Sequence, residues 1–416
     1  MTSPTARLAS FRPYLAGTVL FAVAMGVGRF AYTPLLVVMR ADAGLDVGSA
    51  GVLASANLAG YLAGALAATL PVLQRRRVGI VIGASAGVAI LTAAMAGPAA
   101  LWLPSRLLTG VCSGLVFVLT VNVVFDHAKR ERSRWGPPML FSGVGFGIAA
   151  SGLLVPAFAS FGGSRGTWLA LGALSALAVA LVARWLPREG GTRNPASTTD
   201  ADGADAGAPT TAADTSGAVG AQIRAFWWLA LVYGIEGGVY IIPATFLVAM
   251  IAETPALAAF APFAWVVVGL LAVPSAALWS AAAHRIGLAS ALCLAFVAQA
   301  LALLIPSFAG GLVGALAVAI GIGGTFIAIS ALSLNLGRSY WPERSDAAAG
   351  VLTALYGAGQ IAGPLVATHI AVRTGSFRAA LPVAAVSLLV PTALLIARLA
   401  LPALARRIRR RGDSMM

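Results

Sequence analysis

Long runs of apolar residues, separated by short charged or Pro/Gly-rich breaks, occupy almost the whole chain. A helix that crosses a bilayer needs about 20 such residues, whereas a barrel strand needs about 10. The first six runs predict helices near 15–39, 48–73, 78–97, 99–125, 136–160 and 167–187; the last six predict helices near 223–250, 256–282, 286–306, 308–336, 347–371 and 378–400. The pattern therefore predicts an all-α, polytopic membrane protein with 12 transmembrane helices.

Composition supports a lipid environment. The chain is 59% hydrophobic and 10% charged, whereas soluble domains are about 25% charged. The net charge of +14 could indicate a nucleic-acid partner, but the basic residues are scattered over short loops instead of forming one face. We therefore expect the lipid bilayer, and no nucleic acid, as a partner.

The distribution of Lys and Arg predicts the orientation. If both termini are cytoplasmic, 22 of the 28 basic residues fall on the inner side and 4 on the outer side, while Arg29 and Arg106 lie within helices. Basic residues concentrate in cytoplasmic loops. The first apolar run has no signal-cleavage site after it, so we interpret it as a membrane helix. We expect a multi-pass protein of the bacterial inner (plasma) membrane.

A polar segment divides the chain into two similar halves. Residues 188–222 are rich in Ala, Asp and Thr and contain no aromatic residue, which predicts a disordered cytoplasmic linker. We interpret it as a tether; a regulatory segment is the alternative. The expected organisation is an N-terminal six-helix bundle (1–187), the linker (188–222), a C-terminal six-helix bundle (223–400) and a basic cytoplasmic tail (401–416).

The first helices of the two halves are alike. Segments 15–39 and 226–250 both carry central glycines, then an aromatic residue, then Pro34 or Pro243, and both end near a Met. Parallel repeats of this kind place the first helix of each half beside a shared central cavity. Polar residues on these helices are therefore the first candidates for a functional site.

Two opposite charges fall in the middle of predicted helices. Arg29 and Glu236 lie roughly 15–20 Å along their helices, and a charge at that depth costs several kcal/mol. The functional hypothesis is that Arg29 binds an anionic or carbonyl-bearing group of a small molecule, while Glu236 exchanges a proton. The alternative is a permanent buried ion pair that fixes helix packing.

Other polar residues occupy the predicted inner faces. In lipid such groups either form a hydrogen bond with a neighbouring helix or line a water-filled route. For each residue, a role in helix packing is therefore the alternative to a role in binding. We predict that Arg29 binds substrate together with Tyr32, Asn57, Tyr61, Asn122, Tyr240, Asn335, Tyr356 and Gln360. We assign Arg106 to proton coupling together with Glu236. Its side chain would contact backbone carbonyls or a proton-carrying chain of water molecules. The alternative is a structural arginine that is held by the carbonyls at a helix end.

Several chemistries have no sequence support. There is no Walker sequence, nucleophile elbow or pair of catalytic carboxylates, so we expect neither an enzyme nor an ATP-driven pump, and no cofactor. His127, His284 and His369 are far apart in sequence, and Cys112 and Cys293 lie in apolar runs. We therefore expect no metal site and two free thiols.

Three stretches resemble a known family. GVGRFAYTPLL (26–36), SANLAGYLAGAL (55–66) and GVLTALYGAGQIAGP (350–364) together resemble the YbfB/YjiJ-like branch of the major facilitator superfamily (MFS). RLLTGVCSG (106–114) is similar to the fourth-helix motif whose Arg is linked to proton coupling. GVGFGIAASGLLVP (143–156) resembles the fifth-helix motif of antiporters.

The resemblance also shows a departure. Where the superfamily has an Asp before a basic cluster, the loop LPVLQRRRVG has Gln74, and the matching loop WSAAAHRIG has His284. The gating contact of that loop is therefore altered in this chain.

The resemblance implies a mechanism. It implies a secondary transporter in which two bundles alternate access of a small organic molecule to a central site. We expect a monomer, and a proton gradient as the driving force, because one acid and two arginines are embedded in predicted helices and no nucleotide site is apparent. The fifth-helix motif favours export, whereas Arg29 favours uptake of an organic anion. The alternatives are a non-transporting sensor or scaffold with the same fold, and a passive channel.

Overall fold

The structure is a computed structural model that describes the backbone of residues 4–131, 136–187 and 212–413. Side chains are described for 11–131, 136, 139–187, 220–344 and 347–397. Within these ranges the chain forms helices and turns and no β-strand.

The first half contains six helices. The first helix, α1, spans 4–42 in three consecutive parts, Pro4–Phe21, Ala22–Phe30 and Tyr32–Asp42. It is followed by α2 (Val47–Ala67), α3 (Arg77–Ala94), α4 (Trp102–Arg130), α5 (136–162) and α6 (164–182). Helices α5 and α6 meet at Gly163, whose φ of 57° is readily adopted only by glycine.

The second half repeats this arrangement. It contains α7 (Ala212–Ala252), α8 (Ala261–Ile286), α9 (Leu288–Leu304), α10 (Gly311–Tyr340), α11 (Ser345–Thr374) and α12 (Ala380–Asp413). Eleven helical stretches are long and apolar enough to cross a membrane, and one of them, Met139–Trp185, contains both α5 and α6. The described chain therefore supplies 12 spans, which confirms the predicted all-α fold.

Some predicted boundaries differ from the structure. The helix predicted over 48–73 ends at Ala67, because Leu70 precedes Pro71 and adopts an extended conformation. Helix α7 begins at Ala212, so 212–222 of the predicted linker are helical, and 188–211 lie outside the described residues. Helix α12 continues to Asp413, through most of the predicted tail.

The two halves meet along three helix pairs, α1 with α7, α2 with α11 and α5 with α8. Glycines permit the close approach. A Cβ at Gly51 would collide with the Thr368 hydroxyl, and a Cβ at Gly145 would lie 2.6 Å from the Gly269 carbonyl oxygen. Few long side chains interlock where these helices meet. We therefore expect the two halves to be able to slide against each other at these contacts.

We call the end of the molecule that holds residue 4 and the 68–76 loop the inner end, and the opposite end the outer end. At the outer end of each half, an acidic side chain near the end of the first helix accepts a hydrogen bond from the turn between the fifth and sixth helices. Asp42, at the end of α1, accepts a hydrogen bond from the Ser164 backbone amide at 2.5 Å. Glu253, just after α7, accepts one from the Phe377 amide at 3.1 Å. An acidic residue at the outer end of the first helix of each half thus holds the turn between the fifth and sixth helices.

Replacing Asp42 with Ala should lower the thermal stability of the purified protein. The Ser164 amide, at the start of α6, loses its acceptor, and since the carboxylate is exposed we expect a cost of only about 1 kcal/mol. The melting temperature in detergent measures this. Glu343→Ala, at an exposed loop carboxylate, is the control and should leave the melting temperature unchanged; equal shifts in both variants would contradict the proposed fastening.

Candidate functional site

The centre of α1 is a π-helix. Residues Ala22–Phe30 form wide turns, and such segments leave carbonyl groups free to accept hydrogen bonds from outside the helix. The Ser113 hydroxyl donates to the Ala24 carbonyl at 2.8 Å. Arg106 Nη1 donates to the Gly28 carbonyl at 3.0 Å. Side chains of α4 therefore stabilise the irregular part of α1, immediately before Arg29.

Glycines bring this segment close to its neighbours. A Cβ at Gly26 would collide with the Gly147 Cα, so α1 and α5 touch through their backbones at this level. A Cβ at Gly28 would lie 2.9 Å from the Ser113 hydroxyl. The sequence GVGR thus places the arginine at a tightly packed point of α1.

Arg29 is buried and bonded across the two halves. Its side chain is 6% exposed, and Nη2 donates to the Tyr240 hydroxyl at 2.7 Å. The guanidinium carbon lies 5.0 Å from the ring centres of both Phe30 and Tyr61, which is within the range of a cation–π interaction. Its Nε has no hydrogen-bond partner.

The Tyr240 hydroxyl oxygen is a junction of three helices. It accepts from Arg29 of α1 and, at 2.6 Å, from Gln360 Nε2 of α11. Its ring stacks between Phe326 and Tyr356, with centroid distances of 5.6 and 5.5 Å. One phenol oxygen of α7 therefore links the first half of the protein to two helices of the second.

Arg106 is held by its own half. Its Nε donates to the Leu53 carbonyl at 3.4 Å, and its guanidinium carbon lies 4.6 Å from the Tyr32 ring centre. The backbone of Arg106 in turn accepts from Asn57 Nδ2 at 2.9 Å. Neither Arg106 nor Arg29 forms an ion pair with a carboxylate of the described residues.

Glu236 contacts a different part of the site. It is fully buried, and both carboxylate oxygens lie 2.7 Å from Gln299 Nε2 of α9. Gln299 Oε1 accepts from the Thr325 hydroxyl of α10 at 2.7 Å. The alternative of a permanent ion pair between Arg29 and Glu236 is not what the described residues form: Arg29 is bonded to Tyr240 and Glu236 to Gln299, and both partners are uncharged.

A small cavity lies between the two arginines. It has a volume of about 10 Å³, enough for a single water molecule. It is lined by Arg29, Phe30, Tyr32, Thr33, Ala54, Asn57, Leu58, Arg106, Ile241, Ala244 and Thr245. The site in this conformation is closed around its charged groups.

Most of the predicted substrate-binding residues converge on this region, namely Arg29, Tyr32, Asn57, Tyr61, Tyr240, Tyr356 and Gln360. Asn122 and Asn335 do not. Asn122 is about 24 Å along α4 from Arg106, and its Nδ2 donates to Gln74 Oε1 at 3.2 Å. Asn335 is exposed near the inner end of α10, about 14 Å along the helix from Phe326.

The altered loop between α2 and α3 is anchored to α4. Besides the Gln74–Asn122 bond, Arg77 forms an ion pair with Asp126 at 2.7 Å. The acidic partner of the basic cluster is thus supplied by α4, although the loop itself has Gln74 where the superfamily has Asp.

Sequence reasoning missed several members of the site. Gln299 and Thr325 hold Glu236, and Thr33 donates to the Ala244 carbonyl at 2.5 Å across the two halves. Gln299 had a visible signal, since it is a lone amide in the apolar run LCLAFVAQALALL. Thr33 and Thr325 had none, because a threonine in a membrane helix usually bonds its own backbone.

These features, two six-helix halves that meet at buried charged residues, define a membrane transporter of the MFS fold. The chain matches the family described as "Uncharacterised MFS-type transporter YbfB" over residues 21–397, and it belongs to that family. Comparison with curated proteins gave no match.

Solved structures share the fold. The nucleoside transporter NupG superposes with a TM-score of 0.68 at 14% identity, covering 94% of this chain and 99% of that one. A point mutant of NupG gives 0.66 at 15% identity, covering 93% and 99%. A D-xylose-proton symporter gives 0.66 at 14% identity, covering 92% and 96%. At these identities the likeness concerns the fold.

Replacing Gly26 with Ala should destabilise the protein. The added methyl group would meet the backbone of Gly147, so α1 and α5 must separate, at a cost of about 1–3 kcal/mol. Thermal unfolding measures this. Gly83→Ala is the matched control, because a Cβ there meets nothing within 4 Å, and it should be neutral or slightly stabilising. A Gly26→Ala protein as stable as the wild type would contradict the close packing.

Proposed function

We propose that the protein is a secondary active transporter that moves a small organic molecule across the bacterial inner membrane by alternating access, coupled to protons. Both termini face the cytoplasm, and the predicted division into an N-terminal bundle, a linker, a C-terminal bundle and a basic tail is retained. The observation that carries the proposal is the Arg29–Tyr240 hydrogen bond, which joins the two halves through a buried charge in the interior of α1.

The positions of the contacts between the halves support a rocking motion. Thr33 bonds the Ala244 carbonyl, and Ser55 bonds the Ile361 carbonyl at 2.8 Å. Both bonds lie between Arg29 and the outer end. We infer that the present conformation is closed towards the outer side, and that Arg29 and Tyr240 must separate before the site opens there.

Burial of Glu236 supports proton coupling. An ionised carboxylate that is buried without a cation costs several kcal/mol, and among the described residues Glu236 has one donor, the uncharged amide of Gln299. Burial therefore favours the protonated form of Glu236 when the site closes around a substrate, and hydration of the cavity favours release of the proton before the empty carrier returns. Arg106, bound to the carbonyls of Leu53 and Gly28, keeps α1 in the shape that directs Arg29 at Tyr240.

Substitution of Glu236 by Gln should uncouple transport from protons. Proteoliposomes that contain a pH-sensitive dye are screened for small organic solutes that evoke proton movement. The wild type should show solute-dependent proton flux, and Glu236→Gln should lose at least nine-tenths of it, because the amide has no proton to exchange. Glu343→Gln, at an exposed loop carboxylate, is the control.

Undiminished proton flux in Glu236→Gln would contradict the role of this residue. Solute flux in the wild type without any proton movement would instead indicate the passive channel.

Substitution of Tyr240 by Phe should release the two halves from each other. Only the hydroxyl that accepts from Arg29 and Gln360 is removed. A cysteine at Ala54, which lines the closed cavity, should then react several-fold faster with a membrane-impermeant maleimide added from the outer side. The measurement is made in a Cys112→Ala, Cys293→Ala background.

Tyr14→Phe is the matched control, because the Tyr14 hydroxyl is buried without a hydrogen-bond partner. Equal labelling rates in the wild type, Tyr240→Phe and Tyr14→Phe would show that the Arg29–Tyr240 bond does not hold the outer side closed.

A further inference from the structure

The buried charges of the site do not balance. Among the described residues, the buried side chains of charged type are Arg29, Arg106 and Glu236. Both arginines line the same cavity, whereas Glu236 is bonded to Gln299 and does not line it. Two cations that line the same small cavity repel each other, and no carboxylate of the described residues is paired with either of them.

Arg29 is the arginine with bonding capacity to spare. Its Nε has no partner, and its Nη2 contacts only a neutral phenol oxygen. A carboxylate carries a full negative charge and accepts two parallel hydrogen bonds from the guanidinium fork, whereas Tyr240 offers Arg29 one neutral oxygen. Arg106 is already held by two carbonyls of its own half. An anionic group would therefore displace Tyr240 from Arg29, while Arg106 remains a fixed positive charge.

Aromatic rings adjoin Arg29 on the side towards the inner end. The guanidinium lies over Tyr61, whose ring centre is 5.9 Å from that of Phe117, and Phe117 lies 6.1 Å from Phe141. The three rings come from α2, α4 and α5 and are partly exposed, so they supply an apolar surface next to Arg29. Ligand sites of this kind combine apolar walls with a few convergent polar groups.

We propose that the transported molecule is a monovalent organic anion, a carboxylate with an apolar or aromatic body, which binds Arg29 in place of Tyr240 and moves together with one proton. The inference rests on the proposed transport function and adds the substrate class and the charge balance.

The charge balance follows from the three buried residues. In the empty carrier, two arginines and an ionised Glu236 leave one net positive charge. In the loaded carrier, two arginines, a protonated Glu236 and a monovalent anion leave the same net charge. Because the loaded and empty steps then carry equal charge across the membrane, transport responds to the pH gradient and not to the membrane potential. A carrier that moved net charge would instead gain about 2.3 kcal/mol per charge at 100 mV.

Ligand binding tests the substrate class first. The probes are benzoate, cyclohexanecarboxylate and hexanoate, each compared with its primary amide of nearly the same shape. Thermal unfolding of the purified full-length protein is measured with increasing ligand. At least one acid should stabilise the wild type more than its amide does, and its Kd should rise at least tenfold in Arg29→Gln. Arg373→Gln, at an exposed arginine near the outer end of α11, is the control and should bind as the wild type does.

If no acid stabilises the wild type more than its amide, or if acid binding survives in Arg29→Gln, the proposal is overturned. The comparison of acid with amide uses wild-type protein alone, so it stands even if Arg29→Gln does not fold.

Transport tests the charge balance. Proteoliposomes receive the acid that binds, under a pH gradient with the potential clamped by valinomycin and potassium, or under a potential at equal pH. Accumulation above that in protein-free liposomes, which the neutral acid enters by diffusion, should follow the pH gradient, and the potential alone should produce none. Accumulation driven by the potential alone would overturn the one-proton balance.

The outcomes also separate the two proposals. An acid that binds Arg29 but never crosses the membrane contradicts the transport function and leaves the anion site standing. A neutral solute that crosses with Glu236-dependent proton flux, while no acid binds, supports transport and overturns the anion.

Discussion

An arginine that lies in the interior of a membrane protein must have its charge surrounded by dipoles and aromatic faces, because lipid offers none. Arg29 meets this requirement through Tyr240, Phe30 and Tyr61. The irregular backbone before it needs donors in turn, and α4 supplies them through Ser113 and Arg106. Much of the centre of the first half is thus arranged around the placement of one guanidinium group.

The same requirement connects packing with motion. The acceptor of Arg29 belongs to the other half of the protein, so the stability of the charge depends on the two halves staying together at Tyr240. If a ligand offers Arg29 a stronger hydrogen-bond acceptor than Tyr240, the guanidinium no longer needs the second half of the protein as its partner. Because α2 meets α11 and α5 meets α8 through glycines and small residues, we propose that the halves move against each other once the central bond is replaced and the Thr33 and Ser55 bonds part. Binding and conformational change then share one interaction.

The fold was predictable from the sequence because length and hydropathy determine which segments cross a bilayer. The helix boundaries were less so: α2 ends before Pro71, whereas α7 begins within the segment predicted as linker. The burial of Arg29 and Glu236 was expected from their depth, but their partners were not. Side-chain partners depend on helix rotation, and the π-helix of α1 changes that rotation without a signal in hydropathy.

The neutral residues show the same limit. Tyr240 and Gln360 lie at the junction, whereas Asn122 lies in another contact at the inner end. All three are polar residues on membrane helices, and position along the helix alone did not separate them. Depth identified the charged residues, because few charges are tolerated there, whereas neutral polar groups are common as packing contacts.

The central claim is that the contact of Arg29 with Tyr240 holds the two halves closed at the outer end. Pulsed electron paramagnetic resonance tests it directly, with one pair of spin labels at the exposed outer positions Ser49 and Arg373 and another at the exposed inner positions Thr69 and Glu343. Compared with unsubstituted protein, Arg29→Gln is expected to lengthen the outer distance and shorten the inner one, as rocking requires. Identical distance distributions in the two proteins would contradict the account.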